Sequence, residues 1–182
     1  AAAGSDARMN GCELPVVINS GSGNQGLTVS VPLIVYAERE HLDKEKLYRA
    51  LVISNLTAIH LKTEIGRLSA FCGAVSAGAA CGAGLAYLKD ASEEVMNHTI
   101  VNALAITSGI ICDGAKASCA AKIAVSVEAG ILGYDMYMNG QQFYGGDGII
   151  SKGIENTIHN IGVLGSQGMA STDQEIIKIM CE

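Results

Sequence analysis

The sequence has 182 residues, of which 49% are hydrophobic and 16% charged, a composition that excludes a disordered chain and allows a sizeable core. The formal net charge is −6 with 12 Lys and Arg and no basic run, which argues against nucleic acid and membranes as partners. Aromatic residues are scarce at 4%, so a surface for stacking bases is not expected.

The first residues carry no secretion signal. Residues 1–9 lack a basic start followed by an apolar run, and no apolar stretch in the chain is long enough to span a bilayer. We therefore expect a cytoplasmic protein. The chain begins AAAGSDAR without an initiator methionine, and we expect residues 1–182 to be one domain within a longer protein.

Helical periodicity dominates the first half of the chain. A helix is predicted over 27–38, with Pro32 early in it. The next begins at Asp43 and continues to about Lys62, because apolar residues recur there at helical spacing. The small, apolar residues 72–88 predict a third helix.

The second half continues the same pattern. Ser92, followed by two glutamates, is a candidate N-cap for a helix to about Ile111, and a further helix begins near Ala115 and reaches Gly130 or beyond. Residues 139–148 are the most loop-like stretch. Two short helices, 152–163 and 172–181, close the chain, the last with a capping box of Thr172 and Glu175. The predicted fold is mainly α, a single helical domain with Gly-rich loops and at most a few short strands.

Three of the six cysteines lie at predicted helix boundaries. Cys72 opens one helix, Cys112 closes another, and Cys119 is in the first turn of the next. Near a helix N-terminus the partial positive charge lowers a thiol pKa and favours thiolate, the form that binds metals. The Asp113-Gly114 turn would present Cys112 and Cys119 to one point. Spacing alone leaves open whether these cysteines bind a metal or pack in the core, and the absence of CxxC gives a zinc finger no support.

The glycine-rich segment at residues 20–26 permits three interpretations. Gly21, Gly23 and Gly26 match a dinucleotide-binding pattern, but the alternating strands and helices of that fold are missing downstream. The segment also suits an anion pocket, in which N–H groups at a helix start receive an amino-acid carboxylate, with Ser20, Ser22, Asn24 and Gln25 nearby. The third interpretation is a packing turn.

Four other positions carry polar or flexible groups that permit a functional or a structural role. Arg8 is either a carboxylate clamp or part of a surface ion pair. Lys116 either supplies charge beside the cysteines or is an ordinary first-turn lysine. His60 is either a hydrogen-bonding group near the site or a boundary residue of its helix. Gly145–Gly148 is either a mobile flap or a turn.

Three segments of the sequence are distinctive: INSGSGNQG (18–26), FCGAVSAGAACGAG (71–84) and IICDGAKASCAAKI (110–123). They resemble the iron–sulfur L-cysteine desulfidase and L-serine dehydratase alpha-chain family, especially its uncharacterised bacterial branch. The resemblance implies that Cys72, Cys112 and Cys119 hold a [4Fe–4S] cluster, which leaves one iron free to act as a Lewis acid. It implies α,β-elimination without pyridoxal phosphate, from L-cysteine to pyruvate, ammonia and sulfide or from L-serine to pyruvate and ammonia.

The resemblance also places the candidate base, a cysteine, near the N-terminus of the full family protein, upstream of this segment. The catalytic base is therefore unassigned in this chain, and we expect the segment alone to be inactive. The substrate-binding candidates are Ser20, Ser22, Asn24, Gln25, Arg8 and Lys116.

The expected function is the cluster-binding portion of an amino-acid lyase, with cysteine or serine as substrate. The expected partners are a small amino acid, the N-terminal remainder of the same protein and further copies of the chain in a homo-oligomer. We expect aerobic preparation to lose the cluster. The alternatives are a non-catalytic metal or small-molecule binding module and a nucleotide-binding domain that uses Gly21–Gly26. No motif assigns a role to Cys12, Cys81 or Cys181, for which core packing (Cys81) and surface chemistry (Cys181) are the simpler explanations.

Overall fold

The computed structural model describes all 182 residues and contains eight α-helices and no β-strand, so the prediction of a mainly helical single domain is confirmed. A short π-helical segment, Leu164–Gly168, joins the last two helices. The helices are α1 (Ala2–Met9), α2 (Gly23–Arg39), α3 (Lys44–Ile65), α4 (Gly73–Leu88), α5 (Glu93–Thr107), α6 (Cys119–Met138), α7 (Ile154–Val163) and α8 (Ala170–Cys181).

Helix α4 is the centre of the fold. Thirteen of its 16 residues are buried, and it packs against α2, α3, α5 and α6. Its small residues let these helices approach closely, since a Cβ on Gly78 would lie 2.3 Å from the carbonyl oxygen of Ser126 on α6. One on Gly82 would lie 2.8 Å from the Cα of Gly130. The Ala- and Gly-rich sequence of α4 therefore makes it a core helix with room only for hydrogen at these crossings.

Two helix starts follow the predicted caps. The Asp43 carboxylate accepts from the N–H of Glu45 at 2.9 Å, and the Ser92 hydroxyl accepts from the N–H of Val95 at 3.4 Å. Both side chains satisfy amides that have no partner within their helix. Helix α5 ends at Thr107, four residues before the predicted end at Ile111, because residues 110–112 leave the helix to pair with residues 70–72.

The predicted position of Pro32 is wrong. Helix α2 begins at Gly23 rather than at residue 27, so Pro32 lies in its third turn. Proline has no N–H to donate there, which leaves the helix with a missing hydrogen bond. The hydroxyl of Ser54 on α3 donates to the carbonyl of Val29 at 2.9 Å and ties this weakened stretch to the neighbouring helix.

Two other helix starts differ from the prediction. Helix α8 already begins at Ala170, so Thr172 lies inside its first turn and the predicted capping box does not form. Helix α6 begins at Cys119 rather than near Ala115, because residues 115–118 form a turn directly after Gly114, whose φ is +95°.

No helix combines the length and the apolar character that crossing a bilayer requires.

A fully buried asparagine connects α5, α6 and the loop after α6. The Asn102 side chain donates to the carbonyl of Gly133 at 3.0 Å and accepts from the N–H of Phe143 at 3.1 Å. We expect Asn102→Ala to lower the free energy of unfolding by about 2–4 kcal/mol, since two buried backbone groups lose their partner. Denaturant unfolding measures this, with Asn156→Ala, which removes an exposed local hydrogen bond, as the control. An equally small loss in both variants would contradict the prediction.

Candidate functional site

A single antiparallel bridge places Cys72 beside Cys112. Phe71 pairs with Ile111, and the flanking hydrogen bonds run from the N–H of Cys72 to the carbonyl of Ile110 (3.2 Å) and from the N–H of Cys112 to the carbonyl of Ala70 (2.6 Å). Side chains alternate between faces along extended backbone, so both thiols lie on the face opposite the Phe71 ring. Phe71 is fully buried in the hydrophobic core and so fixes the position of the segment that carries Cys72.

The two thiols form a hydrogen-bonded pair with opposite pKa shifts. The hydrogen bond from Cys72, together with the N–H of Gly114 and the charges of Lys122 and Lys62, lowers the pKa of Cys112 to about 6 despite its burial. The same hydrogen bond, together with burial, raises the pKa of Cys72 well above its ordinary value. The position of Cys72 at a helix N-terminus therefore does not by itself set its ionisation, because burial and the neighbouring Cys112 raise its pKa. Nor does Cys112 close a helix, since it lies after α5 in the extended segment.

Cys119 lies at the start of α6, where the preceding turn holds its sulfur. The N–H of Lys116 donates to Sγ at 3.5 Å, and Sγ donates to the carbonyl of Gly114 at 3.6 Å. One turn further along α6, the Lys122 ammonium binds the Asp113 carboxylate and the carbonyl of Ile111 (2.9 Å). Hydrogen bonds from Lys116 and Lys122 lower the pKa of Asp113 to about 2. The aspartate therefore stays ionised and fixes both ends of the turn.

The glycine-rich segment forms a tight hairpin followed by a helix start. Asn19 and Ser22 exchange two backbone hydrogen bonds, and the residues between them, Ser20 and Gly21, both have positive φ (50° and 85°), as a two-residue hairpin turn requires. The Asn19 side chain binds Asn55 on α3, which fixes the hairpin to the core. The N–H groups of the first turn of α2 have no carbonyl of their own helix to bind. The hairpin therefore fixes the position at which α2 begins, and the first four residues of that helix are buried.

One cleft of about 540 Å³ brings the hairpin and the three cysteines together. Gln25 reaches the start of α4 beside Cys72 because the residue there is a glycine, and a Cβ on Gly73 would lie 2.4 Å from Nε2 of Gln25. The predicted site residues that line the cleft are Ser20, Ser22, Asn24, Gln25, Cys72, Cys112 and Cys119.

Two predicted substrate-binding residues do not line this cleft. Arg8 donates to the Asn24 side chain at 3.0 Å and so holds the first turn of α2, next to the hairpin. Lys116 forms an ion pair with Asp113. His60 lies on the surface, where it pairs with Glu155 at 2.9 Å, and Gly145–Gly148 forms a hydrogen-bonded turn.

The sequence analysis missed two lysines that line the cleft, Lys62 and Lys122. A signal for each was present. Lys62 lies on the same face of α3 as the buried Ala58, Leu61 and Ile65, where an apolar residue is expected. Lys122 follows Cys119 by three residues and so shares its face of α6.

The other cysteines lie elsewhere. Cys81 is fully buried in the core, and burial raises its pKa to about 12, so the prediction of core packing is confirmed. Cys12 and Cys181 are exposed.

The donor groups in the cleft suit an iron–sulfur cluster. Cysteine thiolates are the usual ligands of such clusters, and two lysines line the same cleft. No three His, Cys, Asp or Glu side chains are gathered closely enough to hold a single metal ion. A cluster needs a wider arrangement than one ion, because each thiolate binds a different iron.

The lowered pKa of Cys112 predicts the pH dependence of its alkylation in the metal-free protein. The rate with iodoacetamide should reach half its maximum near pH 6, because thiolate predominates above this pH, whereas an ordinary thiol with a pKa of 9 would still be protonated. In Cys72→Ala the midpoint should move to higher pH, since the main cause of the shift is lost. Mass spectrometry of the modified peptide measures both profiles. A midpoint that stays in place in Cys72→Ala would exclude the hydrogen bond as the cause, and Cys12→Ser serves as control.

Comparison with known proteins gives one family. The family model described as serine dehydratase alpha chain matches residues 1–178. A UPF0597 protein of Desulfitobacterium hafniense strain Y51 is 68% identical over 180 residues, which are 99% of this chain and 42% of that protein. Similar proteins of Lachnoclostridium phytofermentans (58% identity, 98% of this chain, 43% of the relative) and Finegoldia magna (56%, 100% and 44%) also match. This chain thus spans less than half the length of these relatives. No solved structure shows significant similarity to it.

Proposed function

Because this chain belongs to the serine dehydratase alpha chain family, we propose that it forms the thiol-lined part of the active site of an amino-acid lyase. The observation that supports the proposal is the single cleft shared by Cys72, Cys112, Cys119 and the hairpin at residues 20–26. These groups come from four separate parts of the chain, and core packing alone would not require them to face one another across a cavity.

The proposed reaction is α,β-elimination on L-cysteine or L-serine. Loss of the α-proton and cleavage of the Cβ–S or Cβ–O bond give 2-aminoacrylate and sulfide or water. Hydrolysis of 2-aminoacrylate then gives pyruvate and ammonia, with no net oxidation or reduction. The chain spans 42% of its relative from D. hafniense, and we assign the base that removes the α-proton to the remainder of the protein.

Cys72, Cys112 and Cys119 would hold a [4Fe–4S] cluster. When bound, it supplies a Lewis-acidic iron that polarises the leaving group of the substrate. The chain's own groups bind and orient the amino acid. The free N–H groups of Gly23 and Asn24 at the start of α2 receive the carboxylate, and the positive end of the helix favours this anion.

The deciding experiment is anaerobic reconstitution of the full-length protein with iron and sulfide, followed by incubation with each amino acid. We expect about four iron atoms per chain and formation of pyruvate from at least one of the two substrates, with sulfide released from L-cysteine. A protein that retains zinc and forms no pyruvate would instead favour the non-catalytic metal-binding module. The dinucleotide-binding interpretation finds no support in this fold, because Gly21–Gly26 is not part of a βαβ unit.

The hairpin's role in substrate binding predicts a specific kinetic defect. Asn24 accepts a hydrogen bond from Arg8 and contacts Met9, so Asn24→Ala should loosen the start of α2 without touching a cysteine. We expect KM for the amino acid to rise about tenfold while the iron content stays unchanged, as for the loss of one hydrogen-bonded anchor. Steady-state kinetics and iron analysis test this, with the exposed Asn10→Ala as control. Wild-type KM in Asn24→Ala would exclude the hairpin from substrate binding.

A further inference from the structure

Lys62 is a buried lysine that pairs with no carboxylate of the chain. Only 5% of its surface is exposed, and it lines the cleft together with Cys72 and Cys112. None of the seven ion pairs of the chain includes Lys62. Burial lowers the pKa of Lys62, and the neighbouring Cys112 and Cys72 act in the opposite direction.

An ammonium in this position is costly unless something compensates its charge. Removing a charge from water costs several kcal/mol, and an unpaired one keeps that cost in the folded state. The charges of the other two cations of the cleft are compensated, because Lys122 forms an ion pair with Asp113 and Arg67 is hydrated at the surface. Lys62 therefore supplies positive charge that no carboxylate of the chain neutralises.

We infer that Lys62 is a positioning residue that provides the counter-charge for the anionic group bound at Cys72 and Cys112. That this group is the iron–sulfur cluster rests on the proposed function. Three thiolates bound to an oxidised [4Fe–4S] cluster leave the assembly with net negative charge, and reduction adds another. A fixed cation beside two of the thiolates lowers the free energy of both forms, and of the reduced form more.

The first test measures the reconstituted full-length protein without relying on turnover. In Lys62→Met we expect a more negative midpoint potential and a several-fold loss of iron during desalting, because the compensating charge is gone. Lys62→Arg should restore both values, since the charge is kept. Lys44→Met is the matched control. It makes the same change in net charge on the same helix, about 27 Å away along the axis. Identical potentials in wild type and Lys62→Met would overturn the inference.

The second test uses the metal-free protein, so that it does not depend on the cluster. Cys112 is alkylated with iodoacetate, an anion, and with neutral iodoacetamide, and the ratio of the two rates is compared. Both reagents consume the same thiolate, so the ratio reports the local potential and not the fraction ionised. We expect the ratio to fall about tenfold in Lys62→Met, as for loss of a unit charge several Å away in a medium of effective dielectric constant about 20.

The outcomes separate the inference from the proposed function. Lys62→Gln accompanies Lys62→Met, and neither should lower the thermal midpoint of the metal-free protein, because each removes a buried charge that no carboxylate neutralises. An unchanged alkylation ratio, or a lower thermal midpoint in both variants, would overturn the role of Lys62 even in an active lyase. A wild type that binds no iron and forms no pyruvate would overturn the proposed function, while the ratio would still decide whether Lys62 makes the thiols attractive to anions.

Discussion

Replacing Cys112 by serine is expected to remove most of the iron and to lower kcat/KM for elimination by more than about 100-fold, beyond the loss caused by an outer-shell partner. Serine is not a thiolate ligand, and the variant also takes away the acceptor of the hydrogen bond from Cys72. The backbone should keep its shape, because the N–H of Cys112 binds Ala70 whatever the side chain. Iron analysis, pyruvate formation and circular dichroism measure the three effects.

Two outcomes would contradict the role of Cys112. The first is a Cys112→Ser protein that binds full iron and turns over normally. The second is an equal loss in Cys12→Ser, the control, because Cys12 is exposed and does not line the cleft. Either result would mean that the cysteines of the cleft pack in the core and do not bind iron.

Gly26→Ala is expected to destabilise the fold by about 3 kcal/mol or more and to deform the hairpin beside the cysteines. A Cβ at this position would lie 1.7 Å from the carbonyl oxygen of Val17 and 2.8 Å from its carbonyl carbon. Backbone atoms cannot rotate away as a side chain can, so either α2 or the segment before the hairpin must shift. Denaturant unfolding gives the free energy of the loss.

The control for this substitution is Gly109→Ala. Gly109 is exposed, and a Cβ there would meet no atom within 4 Å. We expect its effect to stay within about 0.5 kcal/mol. If Gly26→Ala were equally mild, the hairpin would be able to move relative to α2, and the close approach could not be what fixes the shape of the cleft.

The helical fold could be predicted because helix caps and apolar periodicity are visible within short stretches of the sequence. Asp43 and Ser92 cap their own helices, and the small apolar residues of α4 form one continuous run in the sequence. The predicted end of α5 was wrong because a distant segment decides the conformation there. Helix α5 ends early because residues 110–112 pair with residues 70–72, and nothing near Thr107 in sequence shows this.

Several residues of the site could be predicted from the sequence, but their arrangement could not. The cysteines were found through motifs, whereas the pairing of Cys72 with Cys112 depends on one long-range bridge. Lys62 was missed because its sequence position indicates only an unusual polar residue on a buried face. Its role emerges when α3 is placed against the segments that carry the thiols.

The bridge between Phe71 and Ile111 has a consequence for how the chain acquires its fold. The bridge closes a loop of about 40 residues. The thiols of Cys72 and Cys112 therefore become neighbours only after the chain has lost the conformational entropy of closing that loop. A group that binds both thiols therefore binds the native state and hardly the unfolded chain, and mass action turns its affinity into folding free energy. The thermal midpoint of this protein should consequently rise with the free concentration of whatever occupies the cleft, and a newly made chain should take up that group only after residues 110–119 have been synthesised.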